Sequence, residues 1–129
     1  MSRAVLDTSV FVAREQGRPL ARPLPEDVAV SVVSIAELEV GILMARDAAV
    51  RGQRLRTLSA IRSLGAALAI DERTASAYAQ LAANTLSGGR KPRINDTWIA
   101  ATALVNGAEV WTQDADFSDF AQEVDVVQV

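Results

Sequence analysis

Short runs of apolar and β-branched residues alternate along this chain with longer stretches in which apolar positions recur every three or four residues. That alternation predicts an α/β fold, a parallel sheet covered by helices on both faces. Arg3 to Leu6 reads as the first strand, and Asp7-Thr8-Ser9 as a turn into a short helix over Val10 to Ala13. Gln16 to Glu26 holds three prolines and reads as a loop. Val28 to Val33 has the composition of a fully buried second strand. Ser34 is placed to cap the following helix, with Glu37 at capping-box spacing and Ile35, Leu38, Ile42 and Leu43 as its apolar stripe. A second helix from Asp47 to Leu64 presents Leu55, Leu58, Ile61 and Leu64 on one face, with Arg51, Arg54, Arg56 and Arg62 largely off it. Gly65 ends that helix, Ala66 to Ile70 is a weak third strand, and Asp71 caps an alanine-rich helix that Gly88-Gly89 stops. Asn95 is placed to cap an apolar helix running through Leu104, and Asn106-Gly107 closes it. Ala108 to Trp111 follows as a strand, then a helical turn through Phe120 and a last strand from Val124 to Gln128.

The chain has 129 residues, half of them apolar, which fits a single domain over 1-129 with enough core to fold alone. The apolar run before Asp7 is too short for a signal peptide, and none is long enough to span a bilayer, so a soluble, cytoplasmic protein with no membrane partner is expected. Trp98 and Trp111 read as core. The absence of cysteine and histidine narrows the chemistry most. It excludes disulfides, thiolate or imidazole metal sites, and every nucleophile-plus-histidine triad. What is left is carboxylates, hydroxyls, arginines and a bound hard cation, for which oxygen-only ligands suit Mg²⁺ or Mn²⁺. A net charge of −3 argues against binding nucleic acid by bulk positive charge, but 12 of the 13 cationic residues are arginine, the better bidentate partner for phosphate.

Asp7, Glu37 and Asp114 stand where strand-like runs hand over to helices, and Asp96 opens a helix that must start on the same side of the sheet, since its far end feeds the strand Ala108 to Trp111. In a parallel sheet those junctions converge at the carboxyl ends of the strands, where α/β sites form. Asp96 falls in the first turn of its helix, where the dipole favours an ionised carboxylate, so taken alone it reads as a stabilising first-turn acid. Asp7 taken alone reads as a cap, and Glu37 as a capping-box acid. Two carboxylates about 4 Å apart repel by roughly 4 kcal/mol at an effective dielectric near 20, so structure alone would not select such a cluster. A divalent cation turns the repulsion into ligation and suits phosphodiester hydrolysis.

The four segments Leu6-Asp7-Thr8-Ser9, Ser34 to Gly41, Ile94 to Ala101 and Thr112 to Phe117 together resemble the PIN-domain ribonucleases, and more narrowly the VapC toxins of bacterial toxin–antitoxin pairs, over nearly the full chain. The resemblance implies a three-layer α/β/α PIN-like domain with parallel strand order 3-2-1-4-5. It implies a Mg²⁺- or Mn²⁺-dependent endoribonuclease, a homodimer, and inhibition by a VapB-type antitoxin. Residue matching carries over Asp7, Glu37, Asp96 and Asp114 as the catalytic acids, with Asp7, Asp96 and Asp114 as metal ligands. Thr112 and Ser9 support them. Asp116 is a second candidate for the fourth acid, and the residue reading instead gives it the cap of the turn at Phe117. Arg90, Lys91 and Arg93 are candidate RNA contacts beside Asp96.

Two readings of other classes compete. A receiver-type phosphoacceptor domain shares the alternating pattern but needs a lysine after a late strand, whereas Lys91 lies in a glycine-rich loop before Asp96. A non-catalytic PIN-like binding module would not need the intact acid set.

Overall fold

The computed structural model describes residues 3–129. β1 (Ala4–Leu6) is a fully buried three-residue strand at the centre of an all-parallel sheet. It pairs with β2 (Val28–Ala29) on one side and β3 (Glu109–Thr112) on the other, and β4 (Val126–Gln128) adds to β3. Side-chain alternation sorts the strands between two cores. Val5 and Val110 face one core with Ile99, Ala103, Leu81 and Phe117, while Leu6 and Trp111 face the other with Val10, Phe11 and Ile61. Helices α1 (Thr8–Glu15), α2 (Val32–Leu43) and α3 (Ala48–Arg62) supply the second core, and α4 (Glu72–Ser87) and α5 (Ile94–Val105) the first.

The expected third strand, Ala66 to Ile70, is reduced to one parallel bridge between Leu68 and Ser31. The sheet therefore has four strands in the order β2-β1-β3-β4, with Leu68 at the outer edge of β2 where the third strand of the expected 3-2-1-4-5 order would lie. The cause is Ser31. Its hydroxyl accepts the Ser34 amide at 3.2 Å and starts α2 at Val32, so the expected strand from Val28 to Val33 is cut to two residues. Ser31, not Ser34, is the cap, and Glu37 lies in the second turn of α2, beyond capping-box range.

The helix faces also differ from the periodicity. Leu58 and Ile61 are buried on α3, but Leu55, Leu64 and, on α2, Leu43 are exposed. The arginines of α3 are not simply solvated: Arg51 and Arg54 bond the Ala45 and Gly41 carbonyls, and Arg62 pairs with Glu39 at 2.6 Å. They tie α3 to α2. Trp111 is core, but Trp98 is only half-buried and stacks on Tyr78 with ring centroids 4.0 Å apart. Gly89 closes α4 at φ +78°, a left-handed conformation that turns the chain towards the start of α5.

Candidate active site

β1 and β3 are parallel neighbours, so their carboxyl ends coincide and the residues that follow them meet. Asp7 is the N-cap of α1, and its amide bonds the Trp111 carbonyl at 2.9 Å. It is 5% exposed, and its Oδ2 accepts the Ser9 hydroxyl at 2.6 Å, the Thr112 hydroxyl at 2.9 Å and the Ser9 amide at 3.3 Å. The same two hydroxyls accept the Gln113 and Asp114 amides at 3.0 and 2.9 Å. Ser9 and Thr112 thus lock the β1 acid to the loop after β3.

Glu37 enters from α2. Thr8 donates its hydroxyl to Glu37 Oε1 at 2.6 Å and lies 2.9 Å from the Ser34 hydroxyl. From α5, the Asn95 amide reaches Glu37 Oε2 at 3.4 Å. Asn95 does not cap α5: Arg93 is the N-cap residue and makes no side-chain cap bond, so Asn95 is free to turn across to Glu37. Thr8, Ser34 and Asn95 were not singled out as site residues by sequence. A hydroxyl pair such as Thr8 and Ser34 carries no local signal, because its partners are 26 residues apart.

Asp96 sits in the first turn of α5, as expected, but not as a comfortably ionised acid. Burial pushes its carboxyl up to about 6; Arg93 pulls the other way, and the charges of Asp7, Asp114 and Glu37 push further upward. A plain first-turn acid would show the reverse, a lowered value. Asp7, Asp114 and Glu37 are therefore near enough for their charges to act on Asp96. Asp114 differs from Asp96: burial raises its carboxyl, but the Asp116 amide and the Arg93 guanidinium outweigh burial and hold it below the ordinary range. Asp114, not Asp116, caps the 3₁₀ helix Ala115–Phe120, its Oδ1 accepting the Asp116 amide at 2.9 Å. The Asp116 side chain is 66% exposed against 17% for Asp96, which places Asp116 at the rim.

Arg93 spans the acids, pairing with Asp96 at 2.8 Å, Asp114 at 2.9 Å, and Asp116. Among the described residues no three carboxylates converge closely enough to hold a metal ion. The donor set nonetheless fits a hard divalent cation: every candidate ligand is a carboxylate oxygen, and the acids that raise Asp96 are those such an ion would neutralise. Beside them an open cleft of about 530 Å³ is lined by Glu37, Pro92, Arg93, Ile94, Asn95 and Asp96. Arg90 pairs instead with Asp119 at 2.6 Å, and Lys91 is exposed in the loop before α5, whereas a receiver domain requires its lysine after a late strand.

This arrangement, four acids at the carboxyl ends of parallel strands, accompanies a match of residues 4–123 to the PIN domain model. The chain belongs to the PIN-domain family. Among its relatives, Ribonuclease VapC5 of Mycobacterium tuberculosis is 44% identical over 97% of this chain and 94% of its own length. Ribonuclease VapC4 of the same organism is 35% identical over 98% and 97%. Among solved structures, this PIN domain superposes with a TM-score of 0.89 and 39% identity, over the full length of both chains, on a chain of VapBC-5, a member of the VapBC family of toxin-antitoxin systems from M. tuberculosis.

Proposed function

We propose that this chain is a VapC-type toxin, a cytoplasmic endoribonuclease that hydrolyses RNA phosphodiester bonds with Mg²⁺ or Mn²⁺ and is neutralised by a VapB-type antitoxin. The observation that carries the reading is Asp96: a half-buried carboxyl raised to about 6 in the presence of Asp7, Glu37 and Asp114 is a cost that a set of helix caps does not explain. Two of the curated relatives it matches, VapC5 and VapC4, are ribonucleases by name, and the solved chain is part of a toxin–antitoxin system.

Asp7, Asp96 and Asp114 would hold the cation, which when bound supplies charge to stabilise the phosphorane-like transition state and lowers the pKa of water. Asp7 is pre-set for this role, since the bonds from Ser9 and Thr112 all go to Oδ2 and none of them occupies Oδ1. Glu37 is steadied by Thr8 and Asn95 and, like Asp7, has no arginine partner among the described residues; with Asp7 given to the cation, Glu37 is the acid suited to accept a proton from water. With no imidazole in the chain, a route through the RNA 2′-hydroxyl and paired histidines has no residues to carry it.

The test is incubation of the purified chain with RNA and added Mg²⁺ or Mn²⁺. Cleavage should stop with excess chelator and leave 5′-phosphate and 3′-hydroxyl ends; cyclic phosphate ends, or activity undiminished by chelator, would refute it.

A further inference from the structure

Arg93 is held by the acids it would be expected to help. A single nitrogen, Nη2, stands 2.8 Å from Asp96 Oδ2 and 2.9 Å from Asp114 Oδ2, while Nη1 pairs with Asp116. The neighbouring cations of the same loop take no part: Arg90 is paired with Asp119, and Lys91 is exposed. A divalent cation and this guanidinium need the same two inner carboxylates, so they compete for them. Asp116 lies outside that contest, exposed at the rim, and gives Arg93 an anchor that a cation bound further in would leave intact. The guanidinium also lines the open cleft beside Glu37 and Asp96, and its planar fork matches a phosphate.

We propose that Arg93 is the internal counter-cation of this site: a divalent ion displaces it from Asp96 and Asp114, and the guanidinium, still tethered to Asp116, then binds the RNA phosphate in the cleft. This rests on the nuclease reading for its second half only. The first half concerns metal binding and is read without RNA.

The experiment titrates Mn²⁺ alone into the metal-free full chain by calorimetry, for the wild type, Arg93→Gln and Arg93→Lys. Arg93→Gln removes the competitor and should bind Mn²⁺ about three- to ten-fold more tightly, the scale of one or two partly exposed ion pairs. Arg93→Lys keeps the charge and should stay nearer the wild type. At saturating Mn²⁺ the KM for a short RNA should move the opposite way, rising about ten-fold in Arg93→Gln, the scale of one lost phosphate contact. A merely structural arginine would weaken both together. Mn²⁺ affinity that is unchanged or weaker in Arg93→Gln would overturn the displacement, and an unchanged KM would overturn the phosphate contact. A wild-type chain that binds Mn²⁺ yet cuts no RNA would instead overturn the nuclease reading, with the displacement still decided by the titration.

Discussion

Asp96 and Asp7 are both acids at the start of a helix, yet opposite responses to the same substitution are expected. Asp7 Oδ2 accepts three hydrogen bonds, so Asp7→Asn should lower the melting temperature of the metal-free protein, because an uncharged amide oxygen accepts from these donors more weakly and its two lone pairs cannot take all three. Asp96 is charged against its surroundings, so at pH 7.5 Asp96→Asn should raise the metal-free melting temperature by several degrees, from on the order of 2 kcal/mol at about 1.4 kcal/mol per pKa unit. RNA cleavage and stabilisation by added Mg²⁺ should be largely lost in both variants. An Asp96→Asn protein that melts lower and still cleaves would refute the site. The pH dependence follows with the same sign. The folded Asp96 carboxyl, near 6, binds its proton more tightly than an unfolded one near 3.9, so its contribution to stability is complete below about pH 4 and lost as pH rises towards about 6. Denaturant titrations in chelator from pH 4 to 7 should show that decline, and Asp96→Asn should flatten it. Asp114, held low, acts in the opposite sense and below that window, its contribution being lost as pH falls beneath the ordinary carboxylate range.

Two caps decide how the elements meet. Ser31 begins α2 three residues earlier than the expected Ser34, and that shift turns Glu37 towards Thr8. Ser31→Ala should cost about 1 kcal/mol, read as a drop of several degrees in the melting temperature, since Ser31 is buried and its lost bond leaves the Ser34 amide without its partner. Asp114 caps the 3₁₀ helix and faces Arg93 with its other oxygen, whereas Asp116 only receives Arg93 at the rim. Asp114→Asn should therefore reduce Mn²⁺ affinity by at least about ten-fold, the scale of one lost charged ligand, and Asp116→Asn by much less. Equal losses, measured by calorimetry, would return Asp116 to the ligand set.

At the scale of the whole molecule, the C-terminal end of α2 leaves Val40, Leu43 and Met44 largely uncovered, with Leu43 78% exposed. Apolar side chains grouped at one helix end favour contact with another chain. Light scattering at high concentration should report a dimer, and Leu43→Glu should shift it to monomer without loss of the folded signal; a monomeric wild type would remove the homodimer from the proposed function. Co-expression with a VapB-type antitoxin should yield a copurifying complex. Among the described residues no helix is long and apolar enough to cross a membrane.

What the sequence determined was local and chemical. The order of the helices and of four of the five expected strands, the cap at Asp71, the helix stops at Gly65, Gly89 and Gly107, and a chemistry restricted to carboxylates by the lack of histidine and cysteine all follow from neighbouring residues or from composition. The four acids could be named because Asp7 and Asp114 follow strands, Asp96 opens a helix, Glu37 lies early in the helix after β2, and their motifs resemble a known family. Tertiary structure alone decided the rest. Ser31 rather than Ser34 caps α2 and also pairs with Leu68 from 37 residues away, and Asn95, one residue inside α5 instead of at its cap, reaches Glu37 across the site. Arg93 reads in sequence as a free loop cation, yet it lies among three acids drawn from α5 and from the loop after β3. Burial and charge crowding are properties of that assembled site, which is why Asp96, ionised by every local rule, is lifted to about 6 once the fold closes around it.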